Sequence, residues 1–88
     1  MYGKKGESMT KTQEEKYRKV HFAVMAIEAS AKKRRVSGHA MYSRLKKQDL
    51  VHQRLFKHYE TLHTQSLDWV VKDTLMTLKN WEKEEAGV

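Results

Sequence analysis

The feature that most constrains the fold is a long apolar repeat in the first half of the chain. Its members recur at alternating spacings of three and four, which places them on one face of an α-helix; they are Tyr17, Val20, Val24, Ile27 and Ala31. Neither proline nor glycine interrupts the repeat. Thr12 and Glu15 have the spacing of a capping box. The pattern predicts a first helix from about residue 13 to residue 35. Three further apolar residues widen its face, so we expect this helix to be well buried; they are Phe22, Met25 and Ala29.

Two shorter helical patterns follow this first helix. Ser37 is a candidate cap for a second helix over about residues 38–47, whose inward-facing residues are predicted to be Met41, Tyr42 and Leu45. Asp49 is a candidate cap for a third helix. Its predicted inner face consists of Leu50, Val51, Leu55, Tyr59 and Leu62.

A fourth helix is predicted over about residues 67–83, because Thr64-Gln65-Ser66 breaks the third pattern and Ser66 or Thr64 can cap the next one. Its apolar face consists of Leu67, Val70, Val71, Leu75, Leu78 and Trp81, flanked by Trp69 and Met76. The predicted fold class is therefore all-α, a small four-helix bundle with long first and last helices and a shorter middle pair. We expect a flexible tail over residues 1–11, a single helical domain over residues 12–83 and a frayed C-terminus over residues 84–88.

The composition narrows the class of protein further. The chain has 88 residues and no cysteine, which excludes disulfides, thiolate metal sites and a thiol nucleophile. Its N-terminus lacks the apolar core of a signal peptide, and the longest run without polar residues, Phe22 to Ile27, is too short to cross a membrane. We therefore expect a soluble, cytoplasmic protein with no membrane partner. A chain this small gains by burying a shared face, which leaves a homo-oligomer open.

Charge is distributed unevenly along the chain. Residues 1–48 hold 13 Lys or Arg against 4 Asp or Glu, a balance of +9, whereas residues 49–88 hold 5 against 7, a balance of −2. This asymmetry favours an acidic partner, which is either nucleic acid or a protein. The candidate nucleic-acid contacts are Lys32, Lys33, Arg34, Arg35, Arg44, Lys46, Lys47 and Arg54. The alternative for the run Lys32–Arg35 is that cations stabilise the negative C-terminal end of the first helix and are solvated.

The five histidines do not have the spacing of a metal site. His58 and His63 diverge by about 140° around a helix, and His52 and His63 lie about 16 Å apart along it. No metal and no cofactor is therefore expected. Tyr59 and His63 can touch, since they are four residues apart on a helix. They form either a catalytic pair, which needs a pocket, or a helix end at which His63 caps carbonyl groups. The second reading is favoured, and we expect the protein not to be an enzyme.

The sequence Tyr59-x-x-Leu62-His63-Thr64-Gln65, followed by Trp69-Val70-Val71 and Asp73, resembles a family of short bacterial domains of unknown function. The likeness covers about residues 13–80. The chain departs from the family at Leu45-Lys-Lys-Gln48, where members usually have an aromatic residue and a glycine. Such proteins are often encoded beside ADP-ribosyltransferase-like proteins, so the resemblance implies the neutralising half of a toxin–antitoxin pair and a protein partner. The surface that the resemblance singles out consists of Tyr59, Leu62, His63, Thr64, Gln65, Trp69 and Asp73.

Overall fold

The computed structural model describes residues 10–87, with side chains described for residues 10–85. Every regular element in this part of the chain is helical: α1 (Lys11–Arg34), α2 (Gly38–Lys47), a π-helix (Val51–Phe56), α3 (Tyr59–Leu62) and α4 (Leu67–Gly87). The predicted all-α class is confirmed. Residues 1–9 of the predicted flexible tail lie outside the described residues.

Helix α1 begins earlier than predicted and has a different cap. Thr10 and Gln13 form the capping box: the Gln13 backbone N–H donates to Thr10 Oγ1 (3.1 Å), and the Thr10 N–H donates to Gln13 Oε1 (2.9 Å). The predicted box of Thr12 and Glu15 is therefore wrong. The observed pair lies two residues upstream of the predicted one, so the helix begins about half a turn earlier.

The connection from α1 to α2 is tight at both ends. The N–H of Val36 donates to the carbonyl of Ala31 (3.0 Å), and that of Arg35 donates to Lys32 (3.1 Å), which closes α1 with Arg35 in the left-handed conformation (φ 58°). Ser37 then caps α2 as predicted, because its Oγ accepts from the Ala40 N–H at 3.0 Å. A Cβ at Gly38 would lie 2.6 Å from Glu28 Oε2, so a larger residue there would have to displace the flexible Glu28 carboxylate.

The predicted third helix is two elements rather than one. Residues Val51–Phe56 form a π-helix, in which the Lys57 N–H donates to the His52 carbonyl five residues back (3.2 Å), and one α-turn follows at Tyr59–Leu62. The inward-facing residues Val51, Leu55 and Tyr59 recur every four residues. A spacing of four exceeds the 3.6 residues of an α-turn, so a wider turn keeps all three facing the core.

Asp49 is not the side-chain cap that the sequence predicts for this segment. It has a left-handed backbone (φ 54°), and its carboxylate accepts from Gln53 Nε2 (3.2 Å) and His52 Nδ1 (3.1 Å) rather than from backbone N–H groups. The hydrogen bond from Gln53, followed by that from His52, lowers the pKa of Asp49.

One apolar cluster holds the helices together, and all of its buried members lie between Ala23 and Leu78. Small residues of α1, such as Ala23 and Ala26, let the neighbouring helices approach closely. Helix α4 continues to Gly87, past the predicted end at about residue 83.

The first half of α1 does not share in this core. Tyr17 is 62% exposed, and Val20 and Val24 are each nearly half exposed, whereas only Ile27 and Ala31 of the predicted apolar repeat are buried. The expectation that α1 is well buried is therefore wrong before Phe22, because the other helices leave its first turns exposed. It is also wrong at Val24 and Met25, which are both nearly half exposed. Among the described helices, none combines the length and the hydropathy that crossing a bilayer requires.

Candidate binding surface

The segment Tyr59–Gln65 comprises α3 and most of the joint that connects it to α4, and this joint consists of residues 63–66. Tyr59 and Leu62 are buried, so they belong to the core rather than to a surface. The His63 ring stacks on the Tyr59 ring, with centroids 4.6 Å apart, and its Nδ1 lies 2.9 Å from the Tyr59 carbonyl oxygen. Because a carbonyl oxygen only accepts, Nδ1 carries the proton and donates it to the helix end.

The remaining residues of the joint satisfy the ends of the two helices. Thr64 Oγ1 donates to the Thr61 carbonyl (2.8 Å), and the Gln65 N–H donates to the Leu62 carbonyl (3.0 Å). Ser66 Oγ accepts from the Trp69 N–H at 3.1 Å and so caps α4. These hydrogen bonds give the polar residues of the joint a structural role, while His63, Thr64 and Gln65 remain exposed.

Two of the predicted nucleic-acid contacts are occupied inside the molecule. Arg54 of the π-helix donates from Nε and Nη2 to the two carboxylate oxygens of Asp73 on α4, at 3.0 and 2.9 Å. Arg44 of α2 donates in the same bidentate way to Glu82, at 3.1 and 2.7 Å. The Arg44 hydrogen bond lowers the pKa of Glu82 and raises that of Arg44. Both guanidinium groups therefore tie α4 to its neighbours, and Asp73 is a structural partner rather than a free surface carboxylate.

The outer face of α4 carries exposed side chains in a regular order. Trp69, Lys72, Met76 and Lys79 follow one another at spacings of three, four and three, and we call these four residues the α4 seam. The spacing places them on one stripe of the helix, about 180° from the buried Thr74 and Leu78. Trp69 is 43% exposed and Met76 is 58% exposed. The sequence identifies Trp69 and Met76 as flanking residues but does not identify the two lysines between and beyond them as part of a surface.

Cations from α1 lie beside this seam. A shallow groove of about 290 Å³ is lined by Lys33, Arg34, Lys72, Leu75, Met76 and Lys79, and we call it the basic groove. Two of the eight predicted cationic contacts, Lys33 and Arg34, thus line one groove with Lys72 and Lys79, which lie about forty residues further along the chain. Asp68 lines the neighbouring groove with Lys32 and Lys33, whereas no carboxylate among the described residues lines the basic groove.

A second apolar face lies on α1 and α2. Tyr17, Val20 and Val24 are exposed there, and Tyr42, which was predicted to face inwards, is exposed beside them. Val24 and Tyr42 share a groove of about 260 Å³ with Ile27, Glu28, Gly38 and His39. We call the four exposed residues the α1 face.

Two features bear on chemistry. Across the residues that the structure describes, no three His, Asp or Glu side chains converge in a way that would hold a metal ion. A groove of about 600 Å³ lies between α1, the turn after it and the start of α4, and His63 does not line it.

A comparison with family models identifies the family of the chain. A model described as a protein of unknown function (DUF3791) matches residues 21–81. The chain belongs to the DUF3791 family. Membership in a family of unknown function is what the resemblance at Tyr59–Gln65 predicts. Comparisons with curated proteins and with solved structures found no match.

The DUF3791 match and the hydrophobic core cover the same part of the chain. All buried core residues, from Ala23 to Leu78, lie inside the match, and so do the α4 seam and the basic groove. Tyr17 and Val20 of the α1 face lie outside it.

Proposed function

We propose that this DUF3791 protein is a non-catalytic protein-binding module that contacts its partner through the α4 seam. The observation that carries the proposal is the exposure of Trp69 and Met76 on the outer face of α4, away from the core. Tryptophan and methionine are enriched at protein interfaces and depleted from ordinary surfaces. The reason is that covering their large apolar groups with a partner lowers the free energy of the complex.

A binding role is favoured over catalysis by the state of the most reactive-looking pair. His63 and Tyr59 stack on each other, Tyr59 is buried, and His63 Nδ1 is engaged with the carbonyl at the end of α3. A general base needs a neighbouring substrate site, and the grooves described above lie elsewhere.

The resemblance at Tyr59–Gln65 supports a more specific version of the proposal. In this version the partner is a bacterial toxin enzyme of the ADP-ribosyltransferase-like kind, and the DUF3791 protein neutralises it by covering its active surface. The support is the genetic neighbourhood that the resemblance implies, together with the exposed seam.

Binding of nucleic acid is the second candidate function, and the exposed cations favour it. Lys32, Lys33, Arg34, Arg35, Lys46 and Lys47 are exposed, although Arg44 and Arg54 are engaged with carboxylates. If phosphates are the ligand, the affinity for labelled duplex DNA or RNA falls steeply as salt rises, because each contact releases counterions. An absence of binding at low salt removes this candidate.

The protein-binding proposal is tested by affinity capture from the native cell with three forms of the chain. Wild type and Tyr17→Ser are expected to capture the same protein, and Trp69→Ser to lose it; Tyr17 is the matched control, an exposed aromatic residue on the other face. The captured protein is then purified and its affinity for each form is measured by calorimetry. Capture of the same protein by all three forms, or of nucleic acid alone, contradicts the proposal.

A further inference from the structure

We infer that the partner element is an acidic amphipathic helix, which lies along the α4 seam with its carboxylates against the cations of the basic groove. This inference rests on the proposed function and names the chemistry of the partner at the same site.

The spacing of the seam points to a helix. Trp69 and Met76 are seven residues apart, and so are Lys72 and Lys79, with the two pairs interleaved at intervals of three and four. Seven residues of α-helix span about 10.5 Å, which is the repeat at which two helices lying side by side meet each other's side chains. A complementary helix has apolar residues seven apart and acidic residues seven apart, interleaved in the same way.

The charge of the basic groove determines the sign of the partner. Lys33 and Arg34 of α1 line the same groove as Lys72 and Lys79 of α4, so four cations border one groove between the two helices. Within residues 10–85, none of the four forms an ion pair. Like charges that share a groove and form no ion pair repel each other, and carboxylates of a partner relieve that repulsion while they orient the complex.

Two other occupants fit less well. A second copy of the chain packed seam to seam would set Lys72 and Lys79 against the same lysines or their neighbours, which is unfavourable. The phosphodiester backbone of a duplex satisfies the cations but leaves the exposed Met76 and Trp69 without an apolar contact. Because methionine adapts its shape to apolar side chains, the centre of the seam matches an amphipathic helix better than a phosphate chain.

The inference is tested with full-length protein and two synthetic peptides. Each is an amphipathic helix of about three heptads with leucine at every seventh position; the interleaved seventh positions hold glutamate in the first peptide and lysine in the second. Fluorescence anisotropy of the labelled peptides gives the affinity. The glutamate peptide is expected to bind, and the lysine peptide is not.

Charge reversal supplies the decisive comparison. Lys72→Glu/Lys79→Glu is expected to lower the affinity for the glutamate peptide by about tenfold or more and to make the lysine peptide bind. Lys46→Glu/Lys47→Glu is the control, since it changes the net charge equally at exposed positions of α2. Equal losses in both variants, no gain for the lysine peptide, or displacement of the glutamate peptide by duplex DNA overturns the inference.

The failure of this inference differs from a failure of the proposed function. If the natural partner depends on Trp69 but tolerates Lys72→Glu/Lys79→Glu, the protein-binding function stands and the acidic helix is wrong. If the partner binds Trp69→Ser as tightly as wild type, the proposed function at this seam is wrong, whichever peptide binds.

Discussion

At the residue scale, two hydroxyl groups stand out in the core. Ser30 on α1 and Thr74 on α4 are fully buried, and neither Oγ atom has a hydrogen-bond partner among the described residues. A buried polar atom that loses its water without gaining a partner costs about 1–3 kcal/mol. Each of these two hydroxyl groups therefore lowers the free energy of unfolding.

Replacing one of these hydroxyls with a methyl group is expected to stabilise the protein. Thr74→Val keeps the shape of the side chain and is expected to raise the free energy of unfolding by about 1 kcal/mol, measured by urea denaturation. Thr77→Val is the control, because Thr77 is only half buried. A loss of stability in Thr74→Val would mean that its hydroxyl is satisfied in solution.

The ion pair between Arg44 and Glu82 also makes the folding stability depend on pH. The hydrogen bond from Arg44 lowers the pKa of Glu82 from its ordinary value of 4.5. A lowered folded-state pKa adds stability that is present above pH 4.5 and is lost as the pH falls through the folded value. The pKa of Arg44 is raised, so it stays charged throughout this range.

The test of this dependence is Glu82→Gln. Because both side chains are partly exposed, the variant is expected to lose less than about 1 kcal/mol at pH 7. The difference in the free energy of unfolding between the variant and wild type should shrink as the pH falls below 4.5. Denaturant unfolding at each pH measures this difference. A difference that grows on acidification would contradict the contact.

At the scale of elements, the π-helix is held in place by one strong polar link to α4. The Arg54 and Asp73 side chains are 29% and 20% exposed and meet through two hydrogen bonds. The predicted third helix identifies the inward-facing residues between Leu50 and Leu62 correctly, but it does not predict the π-helix that contains Arg54.

Breaking this link from one side is expected to cost more than removing it altogether. Asp73→Ala leaves a partly buried guanidinium unpaired and is expected to destabilise the protein by about 1–2 kcal/mol. The double variant Arg54→Met/Asp73→Ala recovers part of that loss. A double-mutant cycle in urea measures the coupling, and a coupling near zero would show that the pair contributes nothing.

At the scale of the whole molecule, the core begins at Phe22 although the apolar repeat begins at Tyr17. Residues that look equivalent in the sequence therefore differ in burial. Val20 of α1 is about half exposed, while Val70 of α4 is fully buried.

Identical substitutions at these two valines are expected to differ strongly in cost. Val70→Ala removes two buried methyl groups and is expected to lower the free energy of unfolding by about 2 kcal/mol. Val20→Ala is expected to change it by less than about 0.5 kcal/mol. Chemical denaturation of both variants checks this, and a comparable loss at Val20 would mean that a partner copy covers the α1 face.

Much of the fold follows from local patterns. The spacing of apolar residues, together with the absence of proline, is enough to predict helices, because helix periodicity and capping depend on neighbours within one or two turns. Ser37, Ser66 and the inner face from Leu50 to Leu62 were predicted in this way. The same local signals identified the joint at Thr64–Ser66, but not the choice of Thr10 over Thr12 as the first cap.

The residues that make up the α4 seam and the basic groove could be identified only from the tertiary structure. Charge and periodicity alone determined that α1 is amphipathic and that its end is basic. Only the tertiary packing of the helices decided that Lys33 and Arg34 line one groove with Lys72 and Lys79 and that Arg44 and Arg54 are engaged. It also decided that Tyr17, Val24 and Tyr42 stay exposed. The reason is physical: a helix pattern states which residues share a face, whereas burial and ion pairing depend on how far the neighbouring helices reach along that face.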